Sequence, residues 1–447
     1  MANIKKLHPD CTDYDKLIHI PVGFRELIPE LLSESPMIGP SVLSVDLQTE
    51  YLYYLLSIIF IKQKIHHGGD DDENVFVSIY NKTANYYVRN ASGFLIWLCE
   101  QHILDCNDSY EPKKYSKSYR FKTSHTFEPY ILTQHNLINK VAKARKEYLE
   151  EVRNNPILSK ILERLSGVEL QPFAEEFVKC QRYPWGKELS ILHNLELVKE
   201  KNPSKGYFLA QGGKSGRIYT PHANMPGILR RKFLIIDSEE VSEIDLKCSQ
   251  LQIVFILFKD HVFPNDLNGL QRLEFQKEMK TYARCFQAGN IDLYNLLAQR
   301  MGLSRNELKK RIFPWLFSSY GQMKNATKFI EVSEIFKSLF PMLFELIMDY
   351  KKVRSNNLAV ALQRIESDAI INRIAIGKVY QEGFSFITIH DAILLPLSKR
   401  DFIFNNVWMP ILKELGFPEF LENVSNEFEG SSNQLLEKSE TSRSLAA

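Results

Sequence analysis

Two kinds of hydrophobic pattern alternate along the chain. Apolar residues three and four apart predict helices over Glu50–Lys64, Ala91–Gln101 and Leu132–Val152, and over Ile157–Leu165 after Pro156. Short β-branched and aliphatic runs predict strands at Val75–Tyr80 and Ser118–Thr123. Up to about Leu56, Pro-containing turns separate short apolar runs, and His66–Glu73 (HHGGDDDE) reads as a solvated polar loop. A Gly-rich basic segment, Lys205–Arg217, leads into the strand-rich region Ile218–Lys247. At Glu243–Phe258, EIDLKCSQLQIVFILF, an apolar run presents one carboxylate, Asp245, just before a helical pattern begins. A strand is therefore expected to carry an acid to its own C-terminal end. At Thr388–Pro396, TIHDAILLP, His390 and Asp391 interrupt two aliphatic runs, which suits a tight hairpin with an acid at its tip.

Between these two stretches the pattern is helical. Asp292–Gly321 predicts one helix from Leu293 and another capped by Ser304, with Glu307 three residues later. Lys310, Phe313, Phe317 and Tyr320 are spaced to share one face of that second helix, although Pro314 predicts a kink. A third helix is expected over Asn357–Ile376, with Gln363, Glu366 and Asn372 among apolar residues.

Composition changes this picture little. The 447 residues, 44% hydrophobic and 25% charged, suit an ordinary globular protein of two or three domains, not a disordered chain. With 56 basic and 54 acidic residues the net charge is +2, so any nucleic-acid site must come from local clustering. The 6 cysteines include no CxxC pair and suggest neither a zinc site nor a disulfide framework. Residues 1–20 lack the apolar core of a signal peptide, and Tyr51–Ile61 is too short to span a membrane. A cytoplasmic protein without membrane contact is expected. The Ser- and Glu-rich end, Glu429–Ala447, reads as a disordered tail.

Taken alone, an acid at a strand end is a turn or helix cap. Two carboxylates on neighbouring strands, however, can hold two divalent metals that clamp the attacking and leaving oxygens of a phosphoryl transfer. Magnesium fits such a site, with manganese as a substitute, because hard oxygen ligands and substrate phosphates complete its octahedron. A cation followed by aromatic residues, as at Lys310–Tyr320, can hold a triphosphate and stack a base, or can simply pack a core. Arg217 and Asn224 lie in the turn-rich segment Ser215–Pro226, where a forked arginine can hold a phosphate or merely be solvated. Gln363 can meet a duplex minor groove or serve as a surface amide. Near the N-terminus, a helix followed by the basic segment Lys113–Lys117 outlines a winged helix that can touch a phosphate backbone, with Tyr110, Tyr115 and Tyr119 nearby; an ordinary α+β packing unit has the same outline. The charged helices over 132–165 suit either a thumb gripping a duplex or an exposed helical hairpin.

The order of these pieces resembles the family A DNA polymerases and the phage-type single-subunit RNA polymerases, which share a right-hand palm and fingers. SGRIYT followed by NMP is similar to the Gly-Arg segment before motif A. IDLKCSQLQ resembles motif A, especially its RNA polymerase form D-x-x-C-S-x-x-Q, matched by Asp245, Cys248, Ser249 and Gln252. LKKRIFPWLFSSYG resembles motif B with its terminal Tyr-Gly, LQRIESDAIIN resembles the Gln-bearing helix, and TIHDAILLP resembles motif C. The resemblance covers about Lys205–Pro396, under half the chain. It implies that Asp245 and Asp391 are catalytic and, with the Leu246 backbone carbonyl, ligate metal. It implies nucleotide contacts for Lys310, Arg311, Phe317, Tyr320 and Gln250, and primer–template contacts for Arg217, Asn224, Gln363, His390 and Gly321. The family places its motif B lysine eight residues before the tyrosine, where this chain has Ile312, so Lys310 or Arg311 must substitute. Motif C lacks the Glu usual in the DNA enzymes, Ala392 following Asp391 instead. Sugar choice turns on the residue five after the motif A aspartate, Glu in DNA enzymes and Gly in RNA enzymes; here it is Gln250, whose bulk favours deoxynucleotides.

The expected architecture is α+β, with polymerase-like palm, fingers and helical thumb and a small winged-helix-like N-terminal domain. The main boundary is expected near Asn202. Expected divisions are an N-terminal domain at 1–130, a thumb-like region at 131–202, palm at 203–260 and 351–428, fingers at 261–350, and the tail at 429–447. The expected activity is template-directed DNA synthesis from a primer by two-metal catalysis, with nucleoside triphosphates and primer–template nucleic acid as partners. A single-subunit RNA polymerase or primase is the alternative enzyme. A non-catalytic nucleic-acid-binding replication or defence protein is the alternative of another class.

Overall fold

The computed structural model describes residues 7, 11–35, 43–66, 76–107, 116–123, 125–181, 183, 185–203, 207–259, 269–287, 292–353 and 357–420. It is a mixed α+β chain that divides into two compact units, one of Met1–Ala210 with Thr220–Ile235 and one of Gln211–Tyr219 with Ile236–Ala447. The loop at 67–73, Tyr110, Tyr115, Lys113, Lys114 and the tail at 429–447 lie outside the described residues.

The first unit opens with strand β1 (Leu17–Pro21) and helices α1 (Phe24–Glu34) and α2 (Val45–His66). It continues through β2 (Val77–Tyr80), α3 (Asn81–Tyr87), α4 (Ala91–Glu100), β3 (Leu104–Asn107), β4 (Ser116–Phe121), β5 (Phe127–Ile131), α5 (His135–Asn154) and α6 (Pro156–Arg164). Next come β6 (Val168–Leu170), α7 (Ala174–Cys180) and α8 (Trp185–Glu200), with α9 (Pro221–Asn224) and α10 (Gly227–Phe233) joining after the chain returns. The predicted helix at Glu50–Lys64 is longer than expected and is not an amphipathic surface helix. Tyr51, Leu52, Tyr53, Leu55, Leu56, Ile59 and Phe60 are all buried, because α1, α4, α8 and both β1 and β2 cover α2 from several sides. Strands β2, β4 and β3 form an antiparallel sheet in that order. Tyr119 faces inward there and is buried, so it cannot contact a backbone phosphate as its sequence neighbourhood suggested; strand alternation places it with Phe121 and Val77 in the core. The carboxylate of Glu50 on α2 accepts the backbone N–H groups of Thr133 at 2.7 Å and Gln134 at 2.9 Å, capping the entry to α5 from another element.

The chain enters the second unit within β7 (Ala210–Gln211), leaves it after β8 (Ile218–Tyr219), and re-enters within β9 (Leu234–Ile236). Strand β10 (Glu239–Asp245) is followed by α11 (Ser249–Phe258), α12 (Gly269–Arg284), α13 (Leu293–Met301), α14 (Arg305–Phe317), α15 (Tyr320–Asn325), α16 (Thr327–Leu339), α17 (Pro341–Val353) and α18 (Asn357–Ser367). Strands β11 (Ile387–Ile389) and β12 (Ala392–Pro396) then form a hairpin, and β12 also pairs antiparallel with β10. Helix α11 is buried nearly all round, as its apolar sequence requires.

Two helical expectations change. The helix predicted over Asn357–Ile376 is α-helical only to Ser367, and Asp368–Ile376 is a π-helix. Hydrogen bonding five residues back brings residues five apart onto one face, which lets Ala369 with Ile374 and Ile370 with Ala375 be buried together. The second change is that Lys310, Phe313, Phe317 and Tyr320 do not share one helix. Helix α14 runs through Pro314 but stops at Phe317, and Ser318 and Ser319 are extended. Ser319 then starts α15 with a capping box, its Oγ accepting from Gln322 N while Gln322 Oε1 accepts from Ser319 N at 3.1 Å.

This break is held by a buried cation. Lys351 on α17 is 2% exposed, and its Nζ donates to the carbonyls of Leu316 at 2.7 Å and Ser318 at 2.6 Å, with Trp315 O at 3.5 Å. The end of a helix leaves carbonyls without intrahelical donors, and its dipole favours a cation there. Replacing Lys351 with Met should lower unfolding stability in urea by about 1–3 kcal/mol, because buried carbonyls lose their donor. Unchanged stability would mean that water already serves those carbonyls.

Candidate active site

The register of β10 against β12 pairs Asp245 with Ala392, placing Asp391 one residue beyond, and Leu246 N donates to Asp391 O at 3.1 Å. Two acids separated by most of the unit's sequence thus meet at adjacent strand ends. Asp245 remains open to water, yet protein atoms crowd its strand end. That partial burial, followed by the negative charges of Asp391 and Glu243, pushes its carboxyl up to about 6, while Lys309 pulls in the opposite direction. Asp391 is half-buried, and its Oδ2 accepts the Ser249 hydroxyl at 2.8 Å. Left-handed residues that are not glycine lie close in sequence to both acids: Cys248, three residues after Asp245, at φ 55°, and His390, just before Asp391, at φ 46°. Such conformations cost energy and cluster where a turn must present a particular group.

From α14, Lys309 supplies positive charge to Asp245. Arg305, Lys309, Phe313 and Phe317 recur every four residues. The Arg305 guanidinium and the Lys309 ammonium lie 5.1 and 5.5 Å from the Tyr294 ring centroid, and the Phe313 ring lies 6.2 Å from it. Tyr294 is buried on α13, and burial first, then Cys248, with Asp391 also contributing, raises its hydroxyl well above the ordinary range. Arg305 is further fixed by Asp292, which also caps α13. Sequence reasoning chose Lys310 and Arg311 and passed over Arg305 and Lys309, although their four-residue spacing to Phe313 was readable.

Lys310 and Arg311 instead line a separate open cavity of about 590 Å³ with Lys328, Phe329 and Glu331. Arg311 is paired with Glu331 at 3.0 Å. Phe317 ends α14 near Phe313, while Tyr320 begins α15 beneath the Lys352 ammonium, 5.7 Å from its ring centroid, and Gly321 follows it exposed. His390 occupies the turn between β11 and β12, its ring edge-on to Tyr219 at 6.0 Å. Gln363 is half-buried on α18. Asn224 is exposed in the first unit, whereas the other residues expected to contact substrate belong to the second. Arg217, part-buried, and Gln250, buried, are both bonded to one acid: Arg217 Nε donates to Glu366 Oε2 at 2.7 Å, and Gln250 Nε2 donates to Glu366 Oε1. Glu366, an uncharacterised acid within an apolar helix in the sequence, is therefore central here. Burial raises its carboxyl, opposed by Arg217 and reinforced by Asp391.

Among the described residues no cluster of three or more His, Cys, Asp or Glu side chains is arranged around a metal position. The donor set is two neighbouring carboxylates, one of them raised by burial and then by its like-charged partner. Magnesium accepts such a set, since it commonly binds through one or two carboxylates and completes its shell with water and substrate phosphate. No helix among the described residues is long and apolar enough to cross a membrane. No protein-family model matches the chain, and searches of curated proteins and of solved structures return no match.

A carboxyl raised in the folded state stabilises that state below its ordinary value and loses this contribution as pH climbs through the raised one. For Asp245 the window runs from 3.8 to about 6. In chelator, Asp245→Asn should therefore gain stability relative to the unsubstituted protein as pH rises across that window. Urea denaturation of both proteins checks this, and a gap that does not widen would mean that the Asp245 carboxyl is not raised in the folded protein.

Proposed function

We propose that the chain is a template-directed nucleotidyltransferase that extends a primer at Asp245 and Asp391. The observation that carries this reading is the meeting of these two acids at paired strand ends, with the Lys309 charge of α14 acting on Asp245. In nucleotide addition a primer 3′-hydroxyl attacks the α-phosphorus of a triphosphate and pyrophosphate leaves, so developing negative charge must be held in place. Asp245, Asp391 and the Leu246 carbonyl would hold magnesium, which supplies Lewis-acid charge to the reacting oxygens. Ser249 orients the Asp391 carboxylate by its hydrogen bond. Lys309 and Arg305 bind the triphosphate tail, and Phe313 and Phe317 offer ring faces for a base.

The ordered motifs support a palm-and-fingers architecture related to family A DNA polymerases and phage-type RNA polymerases. Lys309 stands eight residues before Phe317, the separation that the resembled family keeps between its motif B lysine and tyrosine, so a phenylalanine stands where that family has the tyrosine. This assigns the lysine role to Lys309, with Phe317 in place of Tyr320. In the first unit, the order α2, β2, α3, α4, β3, β4 with sheet order β2–β4–β3 supports the winged-helix-like reading of its N-terminal part. Gln250 supports deoxynucleotides as substrates; Cys248 and Ser249, with only two acids, support RNA synthesis or priming as the second reading.

Primer extension with each of eight nucleotides, with and without magnesium, tests the activity and separates the readings. Asp245→Ala should abolish extension while leaving most duplex binding. Normal extension by that variant would sink the assignment. Duplex binding indifferent to magnesium, with no nucleotide incorporated by the unsubstituted protein, would instead indicate a non-catalytic nucleic-acid-binding protein.

A further inference from the structure

The cavity lined by Lys310 and Arg311 is not used by the reaction described above. Both residues directly follow Lys309 in α14, and at about 100° of rotation per residue they leave the side from which Lys309 acts on Asp245. They meet the first turns of α16 instead, and the two helices line an open space of about 590 Å³. Spaces of this size take small organic ligands, and a lone inorganic anion would leave most of this one unfilled.

The charge of the lining is one-sided. Lys310, Arg311 and Lys328 are exposed cations, and Glu331 is the one acid among the lining residues. Glu331 pairs with Arg311 at 3.0 Å, and both side chains are about half exposed. A pair so open to water is weak, so Arg311 can exchange it for a stronger acceptor. Three cations against one acid leave an excess of two positive charges. A phosphate monoester carries about −1.5 to −2 at pH 7 and offers three acceptor oxygens, which matches that excess; a diester linkage carries one negative charge and falls short of it. The hydroxyl of Thr327 adds a neutral donor to the same lining. The Lys328 ammonium stands 5.0 Å from the ring centroid of Phe329, which is buried and, with Pro314, gives the cavity apolar wall. Such a wall suits the rings of a nucleoside, not a second charged group.

We propose that this cavity is a second, non-catalytic site that recognises a nucleoside monophosphate, its phosphate held by Lys310, Arg311 and Lys328 and its rings packed against Pro314 and Phe329. A free mononucleotide and the phosphorylated end of a nucleic-acid strand both present this chemistry. The proposal uses no step of the reaction at Asp245 and Asp391, and either can fail without the other.

Equilibrium binding to the full chain in chelator tests it, because metal-dependent nucleotide binding at the two acids then does not contribute. The probes are two matched pairs, AMP with adenosine and one single-stranded oligonucleotide with and without its 5′-phosphate, together with inorganic phosphate. The phosphorylated member of a pair should bind about 10- to 100-fold more tightly, the worth of a charge-assisted hydrogen bond. That preference should collapse in Lys310→Glu and in Lys328→Glu, both at exposed positions. Glu331→Gln should instead tighten phosphate-dependent binding a few-fold by releasing Arg311, a gain that damage to the fold would not produce. A phosphorylated oligonucleotide that outbinds AMP identifies a strand end as the source, and AMP that outbinds the oligonucleotide identifies the free nucleotide. Indifference to phosphate in both pairs overturns the proposal, as does a preference that survives both lysine reversals. Equal loss in Lys399→Glu, an exposed lysine outside the lining, also overturns it, and so does inorganic phosphate that binds as tightly as either phosphorylated ligand.

Discussion

The antiparallel pairing of β10 with β12 is the constraint on which the candidate site depends. Its register brings Asp245 beside the turn that carries Asp391. Burial of its strand end, and then the like charge of Asp391 opposing its own, raise the carboxyl of Asp245. The surrounding fold tolerates that opposition with Lys309 on one side and the Ser249 hydroxyl on the other.

Buried polar groups set the positions of the elements around those strands. Lys351 gathers the carbonyls at the end of α14 and fixes the break before α15. Glu366 ties the Gln211–Tyr219 hairpin to α11 through Arg217 and Gln250. Ser249 and Asp391, Gln250 and Glu366, and Arg217 and Glu366 are 142, 116 and 149 residues apart. Such partners cannot be paired from local periodicity, since periodicity reports which face of an element is apolar but not which element covers it.

The two acids, the hairpin at His390–Asp391, the capping box at Ser304–Glu307 and helices α2, α4, α5, α6, α11, α13 and α14 were legible in the sequence, because each is written in neighbouring residues. The helix break at Ser318–Ser319 was also written locally, as Ser319 with Gln322 three residues later, but the aromatic spacing to Tyr320 masked it. Following that spacing directed attention to Lys310 and Arg311, which face another cavity, and away from Lys309.

By itself, then, the sequence determined where strands carry acids and where helices begin, since capping, turn chemistry and hydrophobic period act over a few residues. Only the tertiary structure decided which cation faces Asp245, which side chains are consumed by internal bonds, and that Arg217 and Gln250 share one buried carboxylate. Those outcomes follow from burial: once a charge is removed from water it must find a partner, and the partner is whichever segment the fold carries to it.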